Sequence, residues 1–368
     1  MIRQKAQQYF LRDVLKIRNG RDHKHLKDGS IPVYGSGGIM RFVNQAIYTH
    51  QSILLPRKGT LDNIQFVKDP FWTVDTAFYT EIDKSKVAPY YLYYLLRQLD
   101  ISRLWTGTGV PSMTSEAYYN IKISLPDPPT QLRIAAILGS IDEKIELNRK
   151  KIVELEALAK TIYDYWFVQF DFPDKNGKPY KSSGGKMVWN EQLKREIPDG
   201  WETASLNSVF SVCSGKDHKH LLDGKYPVLG SGGIMRYAES YLYDGESILI
   251  PRKGTLNNIM FMQSAFWTVD TMFYTRPKRT NLMKYTYMSI RDFDFARLNT
   301  GTGVPSMTSS IIGRISIVIP PEELAKYVDC FLGCVFSRIT SINNEIKQLA
   351  KQRDTLLPLL MNGQVEVK

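Results

Sequence analysis

The sequence predicts an α+β protein in which two similar α/β domains alternate with two long helices, and three observations carry that prediction. The first is a repeat. Gly20 to Thr80 aligns without a gap to Gly215 to Thr275 at an offset of 195, with 39 of 61 positions identical. The shared words are DHKHL, P-V-x-GSGGIMR, PRKGTL and FWTVDT; one residue is then deleted, and TGTGVPSMTS recurs intact at Thr106 to Ser115 and Thr300 to Ser309. A period of half the chain is too long for a solenoid of short units, so it marks a duplicated domain together with the segment following each copy. The second observation is that both copies are short apolar runs broken by Gly, Pro and Asn, the pattern of twisted sheet and turns. The third is a pair of heptad stretches, one behind each copy.

Taken in order, residues 1–127 form the first domain, with short runs at Ser52 to Leu55 and Phe71 to Thr80, a continuous apolar stretch Tyr90 to Leu96 read as helix, and a strand at Ile121, Ile123 and Leu125. Residues 128–170 form the first long helix. From Thr130 onward, Leu138, Ile141, Ile145, Asn148, Ile152, Leu155, Ala159 and Ile162 recur at alternating spacings of three and four, as a coiled-coil seam does. A helix from Thr130 to Tyr165 would be about 54 Å long, roughly one and a half turns of B-DNA. Residues 171–198 turn to Pro, Gly, Ser and Lys, including Lys181-Ser182-Ser183-Gly184-Gly185, and read as a linker. Residues 199–319 repeat the domain. Residues 320–368 repeat the helix, with a seam of Val335, Ile339, Ile342, Ile346, Leu349, Arg353, Leu356 and Leu360 before a stop at Asn362-Gly363. Each seam has one polar member, Asn148 and Arg353, either a register-setting residue or a solvated defect.

Composition narrows the function. With 43% hydrophobic and 23% charged residues in 368, the chain has the balance of folded globular domains. Cys213, Cys330 and Cys334 make neither a disulfide framework nor a zinc pattern, and a reducing cytoplasm is the expected compartment. No run of eighteen apolar residues exists and the N-terminal stretch MIRQKAQQYF lacks a signal-like apolar segment, so no membrane association is expected. The net charge of +11 favours a polyanionic partner. By segment the charge is +6 in 1–127, +2 in 128–198, +3 in 199–319 and zero in 320–368, which places +9 in the repeated domains. A phosphate-binding surface is therefore expected on each domain, and protein-binding surfaces on the helices.

Arg57-Lys58-Gly59-Thr60 and Arg252-Lys253-Gly254-Thr255 set two cations, a flexible Gly and a hydroxyl after a strand. That combination suits phosphate or base-edge contact; the plain alternative is a basic hairpin corner. The TGTGVPSMTS loops offer main-chain N–H groups and hydroxyls to phosphate, or simply make a tight connection. Gly35-Ser36-Gly37-Gly38 and Gly230-Ser231-Gly232-Gly233 complete no nucleotide-binding fingerprint. The candidate nucleic-acid contacts are Lys24, Ser36, Arg41, Arg57, Lys58, Thr60 and Asn63, with Lys219, Ser231, Arg236, Arg252, Lys253, Thr255 and Asn258 as their twins. Four of five histidines, His23, His25, His218 and His220, lie in the twin D-H-K-H words; His50 has Gly245 as its twin, so no third ligand recurs and metal binding is not expected. Phe71-Trp72 and Phe266-Trp267 read as core, while Trp105 has Asn299 as its twin. Asp127-Pro128-Pro129-Thr130 lacks the aromatic that would stack on a flipped base in an amino-methyltransferase, and Asp142-Glu143-Lys144 lies in the heptad stretch rather than on a nuclease strand. No catalytic constellation or cofactor fingerprint assembles, and the chain reads as non-catalytic.

These words together, with LEALAKTIYDYWFVQFDFP at Leu155 to Pro173, resemble the specificity subunit of type I restriction–modification enzymes over nearly the whole chain. The resemblance implies two target recognition domains, each reading one half of a bipartite duplex DNA site in the major groove. It implies that the long helices pack antiparallel as a spacer and dock two methyltransferase subunits, with restriction subunits completing the assembly. S-adenosylmethionine, ATP and Mg would act on those partners and none in this chain. One departure is that the first copy lacks a counterpart of Trp201, which reads as trimming at that domain's edge. Domains related by a pseudo-twofold axis would read related half-sites; against this, identical words are also what a shared scaffold keeps, leaving specificity to segments that diverge, Val43 to Ala46 against Ala238 to Tyr241 and Glu81 to Ser102 against Arg276 to Ala296. The alternatives from other classes are a methyltransferase or nuclease in its own right, or a basic coiled-coil scaffold.

Overall fold

The computed structural model describes residues 6–101, 104–105, 111–301 and 303–365. The chain divides into two compact units, Met1–Arg149 with Asn343–Lys368, and Lys150–Ile342. The division falls inside both heptad stretches, so each unit holds one repeated domain and part of each long helix.

In the first unit the strands are β1 (Gln7–Phe10), β2 (Leu15–Asn19), β3 (Asp28–Gly35), β4 (Gly38–Val43), β5 (Ser52–Pro56), β6 (Gln65–Val67), β7 (Trp72–Thr73) and β8 (Ala77–Ile82). After them come α1 (Pro89–Gln98), α2 (Ser115–Tyr119), β9 (Lys122–Leu125) and α3 (Pro128–Tyr163). They form three sheets, β1-β9, β2-β8-β5-β6 and β4-β3-β7. Strand β5 reads Ser-Ile-Leu-Leu-Pro and is buried at all five positions, as a strand covered on both faces should be. Its polar residue is satisfied: Ser52 Oγ donates to Thr80 O at 2.8 Å and accepts from Thr80 N at 2.8 Å. Helix α1 opens with Pro89, whose missing N–H costs nothing in a first turn, and buries Tyr91, Leu92, Tyr94 and Leu96.

The second unit repeats this plan. Its elements are β10 (Met187–Asn190), β11 (Arg195–Pro198), β12 (Glu202–Ser205), α4 (Leu206–Val209), β13 (Phe210–Ser214), β14 (Asp223–Gly230), β15 (Gly233–Ala238), β16 (Ser247–Pro251), β17 (Met260–Met262), β18 (Trp267–Thr268) and β19 (Met272–Pro277). They are followed by α5 (Met283–Ile290), α6 (Ser309–Gly313), β20 (Ser316–Ile319) and α7 (Glu322–Met361). The sheets β12-β20, β13-β19-β16-β17 and β15-β14-β18 match those of the first unit strand for strand. β1 pairs with β9 as β12 pairs with β20, so this sheet is present in both units, with Ala6 where the second has Trp201.

Residues 171–198 are not a linker. They fold as the β10–β11 hairpin and two turns, with Ile197 buried in the same core as the second domain. The reason is aromatic: beyond α3, Phe167, Phe170 and Phe172 close around Trp201 at ring distances of 6.0, 5.5 and 5.0 Å. The Gly-Ser-Lys composition belongs to a tight turn in which Asp171 accepts from Ser182 N at 2.7 Å and Ser182 Oγ at 2.5 Å.

Helix α3 starts at the Asp-Pro-Pro-Thr word, where Asp127 accepts from Thr130 N at 3.0 Å. That bond holds the Asp127 carboxyl below its ordinary pKa. The word is a helix start, not a base-flipping loop. The two helices run antiparallel within each unit. In the first, Lys144 meets Glu345 at 3.4 Å and Asp142 meets Arg353 at 2.8 Å, while Ile134 and Leu138 share a core with Leu357 and Leu360. In the second, Ala159 shares a core with Val328, Leu332 and Val335, and Trp166 packs on Tyr327 at 5.4 Å. Helix α3, at 36 residues, is about 54 Å long, the expected length. Helix α7 ends at Gly363, whose φ of 65° lets Gln364 N reach Leu359 O at 2.9 Å.

Candidate nucleic-acid interface

Three loops far apart in sequence meet at one end of each domain's sheets. The first is the β3–β4 turn. Gly35 pairs with Gly38, and Gly38 takes a φ of 121°, so the glycines serve a reversal that other residues resist. The second is the corner after β5. Arg57 N and Lys58 N both donate to Thr76 O, at 2.8 and 3.2 Å, and Gly59 turns the chain at a φ of 84°. The third is the stretch ending the TGTGVPSMTS word, of which Thr106–Val110 lie outside the described residues. Ser112 bridges Lys58, and Met113 N donates to Arg57 O at 2.9 Å.

The loops are stapled to one another. Asn63 Nδ2 donates to Ser36 O at 2.7 Å, Gln65 Nε2 to Gly35 O at 3.2 Å, and Ser36 N to Thr76 Oγ1 at 3.3 Å. A Cβ on Gly59 would lie 3.2 Å from Ser36 Oγ, so the corner and the turn are in close approach. The second unit reproduces the assembly: Asn258 Nδ2 donates to Ser231 O at 2.8 Å, Lys253 bridges Ser306, and Gly254 N donates to Pro305 O at 3.0 Å. Thr302, in the same word, lies outside the described residues.

The candidate contacts divide into two groups. Lys24, Lys58 and Thr60, with Lys219, Lys253 and Thr255, are exposed, and the four lysines make no ion pair among the described residues. Ser36 and Ser231 are half-buried at the turn, and Arg57 and Arg252 lie over Phe78 and Phe273 at 5.6 and 5.9 Å. The other group is engaged within the protein. Arg41 donates to Leu26 O at 3.1 Å and Asp28 at 2.9 Å, and Arg236 donates to Leu221 O at 2.5 Å. Asn63 and Asn258 are the staples just described. Asn63 and Asn258 thus hold the turns, and Arg41 and Arg236 tie down the base of each hairpin.

Two features of the surface carry no signal in a charge count. Beside the turn, Ile39 and Met40 are 54% and 58% exposed, and their twins Ile234 and Met235 are 52% and 59% exposed. The only pointer in the sequence is an apolar pair following a glycine turn. Thr76, which ties the turn to the corner, is equally silent as a letter. The histidine words pack on the core tryptophans: His25 lies edge-on to Trp72 and His220 to Trp267, both at 5.9 Å. Phe71 and Phe266 are fully buried, as expected, and Trp105 is 39% exposed. Asp142 and Lys144, of the nuclease-like word, serve the helix pairing. Each domain thus presents hydroxyls, turn backbone and lysines on a rigid platform, a combination suited to phosphate and base edges.

Comparison with known proteins gives the same picture. The type I restriction modification DNA specificity domain matches twice, at residues 4–157 and 198–351. The specificity subunit of type I restriction enzyme MjaIX from Methanocaldococcus jannaschii is 26% identical over 353 residues, covering 88% of this chain and 79% of its own. That of the HindI enzyme from Haemophilus influenzae is 20% identical, covering 80% and 81%. Among solved structures, the S subunit of a type I restriction–modification system from M. genitalium superposes with a TM-score of 0.68 at 17% identity, over 98% of this chain and 97% of that one.

Proposed function

The chain belongs to the type I restriction modification DNA specificity family, and we propose that it reads a bipartite duplex site, one half by each repeated domain, for partner subunits that carry out the chemistry. The observation that carries this reading is the duplicated platform: the same three loops, joined by the twin asparagines Asn63 and Asn258 and by twin lysine–serine bridges, stand at the end of each domain with their lysines exposed. Exposed lysines supply the phosphate attraction that holds a protein on a duplex, while the turn residues face base edges. The heptad helices offer the surface for two methyltransferase subunits, with restriction subunits joining that complex. S-adenosylmethionine, ATP and Mg serve those partners, and this chain contributes the address alone. No described helix is long and apolar enough to cross a membrane.

The direct test is co-expression with the methyltransferase partner in a methylation-free host, followed by mapping of modified adenines. A split motif with a constant gap is expected; unmodified DNA from a stable complex would overturn the reading. Lys58→Ala and Lys253→Ala should each weaken duplex binding about equally across sequences and lower the salt slope by about one. An unchanged slope would return the basic corner to a structural role.

A further inference from the structure

Where the two copies differ, and where they do not, follows the geometry of each domain. The 22 differences in the 61 aligned positions gather at 27–34, 42–51 and 65–70, with few elsewhere, and a further divergent stretch covers 81–102. The last two lie on the side that packs against the long helices. Phe66 packs edge-on against Tyr90 at 4.8 Å, Lys68 pairs with Glu143 of α3 at 2.9 Å, and α1 lies within 81–102. In the second unit Phe261 and Tyr287 pack on Phe336 of α7. Copies that dock on different helices must differ there. Most of the remaining differences sit toward the base of the β3–β4 hairpin, where Asp28 and Ile31 pair with Val43, about 13–23 Å along β3 from the glycine turn, while Tyr34 beside the turn is Leu229 in the second copy.

At the opposite end the exposed residues are largely repeated, although Tyr34 and Asp62 nearby are Leu229 and Asn257 in the second copy. Ile39, Met40, Lys58 and Thr60 are exposed in the first unit, and Ile234, Met235, Lys253 and Thr255 are exposed in the second. A core position keeps its residue because its neighbours fill the space around it; the Ile-Met pair is covered on one side only, where Met40 lies over Gly35 and Met235 over Gly230, and the rest left to water is a liability. Beside lysines, on the domains that carry +9 of the net charge, the ligand that fits is duplex DNA, whose thymine methyls offer apolar contact in the major groove.

Resting on the reading above, we propose that both domains read the same bases, each through its own glycine turn and basic corner, so that the two halves of the target carry one sequence. Ile39 and Met40, and Ile234 and Met235, are the specificity-determining pairs. The divergent segments serve docking and the hairpin base, not readout.

The test is the methylated motif of the complex. Identical half-sites are the expected result. Ile39→Ala with Met40→Ala should relax one base position in one half by about four-fold, the worth of one buried methyl group, and Ile234→Ala with Met235→Ala the corresponding position in the other half. Co-purification with the methyltransferase partner confirms that each variant is folded. Lys27→Leu with Ser30→Lys and Asn44→Glu, which gives the first hairpin base the second copy's residues, should leave the motif unaltered. A split motif with dissimilar halves, or a motif altered by the hairpin-base variant, overturns this inference and leaves the address function standing. Absence of any motif is the separate failure of that function.

Discussion

The joints between domain and long helix are the same shape in the two units and opposite in chemistry. At an offset of 194, Gly139 of α3 corresponds to Gly333 of α7, and Tyr90 to Lys284. In the first unit Tyr90 lies against Gly139, where a Cβ would come within 3.0 Å of its ring. Its hydroxyl donates to Asp142 at 3.0 Å, Tyr94 donates to the same oxygen, and Arg353 reaches the other at 2.8 Å. In the second unit Lys284 lies against Gly333, is only 7% exposed, and is held by Glu246 and by Asp329 of α7 at 3.0 Å. The position of Asp142 is taken by Phe336, packed on Phe261 at 5.3 Å. One joint puts the buried anion on the helix and neutral donors on the domain; the other puts a cation on the domain and one anion on each side. A duplicated fold therefore preserves the close approach that a missing side chain allows, while the opposite charge or donor that meets each buried charge can come from either partner.

The difference should be largest when the charge is removed. Lys284→Met leaves Glu246 and Asp329 facing each other with no cation, and should destabilise the second unit by about 3–5 kcal/mol in urea unfolding. A loss below about 1 kcal/mol would mean that the lysine is a bystander and the joint is apolar in both units. The seam offers a second contrast, since Asn148 stands where its twin is Ile342. Asn148 is 1% exposed and its Nδ2 has no partner among the described residues. Asn148→Ile should therefore stabilise by about 1–3 kcal/mol, the cost of a buried unsatisfied donor. A lower urea midpoint in this variant would show that Asn148 is bonded and sets register.

Smaller effects should separate the two glycines. Gly333→Ala meets only the flexible end of Lys284, at 3.4 Å, and should gain about 1 kcal/mol from helix propensity. Gly139→Ala meets the Tyr90 ring at 3.0 and 3.3 Å and should lose that gain; equal melting temperatures for the two variants would show the approaches to be equivalent. Alkali should discriminate last. Burial opposes the charge of Lys284, but its bonds to Glu246 and Asp329 outweigh it and raise its pKa. Its contribution is complete below the ordinary lysine value of about 10.4 and is lost as pH rises through the raised one. The first joint relies on an arginine and two tyrosines, all with raised pKa values. The second unit should thus loosen first in alkali, and Lys284→Arg should remove that order.

Much of this was legible in the residues. The heptad seam placed α3 and α7 to within a few positions, because burial of one stripe along a helix must repeat in sequence. The repeat foretold two domains with matching sheets. Other features misled for physical reasons. Lys181 to Gly185 has a linker's composition, yet the rings of Phe170, Phe172 and Trp201 fold the segment around them. Arg41 and Asn63 hydrogen-bond protein oxygens that only the fold brings within reach, a role their letters do not reveal. Composition counts what a side chain can do, while the partner it meets depends on contacts between distant segments.

By itself the sequence determined the duplication, the strand and helix grammar and the basicity of the domains, all of which follow from local pattern and letter counts. Only the tertiary structure decided which glycine loops share one platform, which cations stay exposed, and that the exposed Ile-Met pairs stand beside them. Those properties arise when residues as distant as Ser36, Lys58 and Ser112 are brought together, and no local spacing encodes that distance.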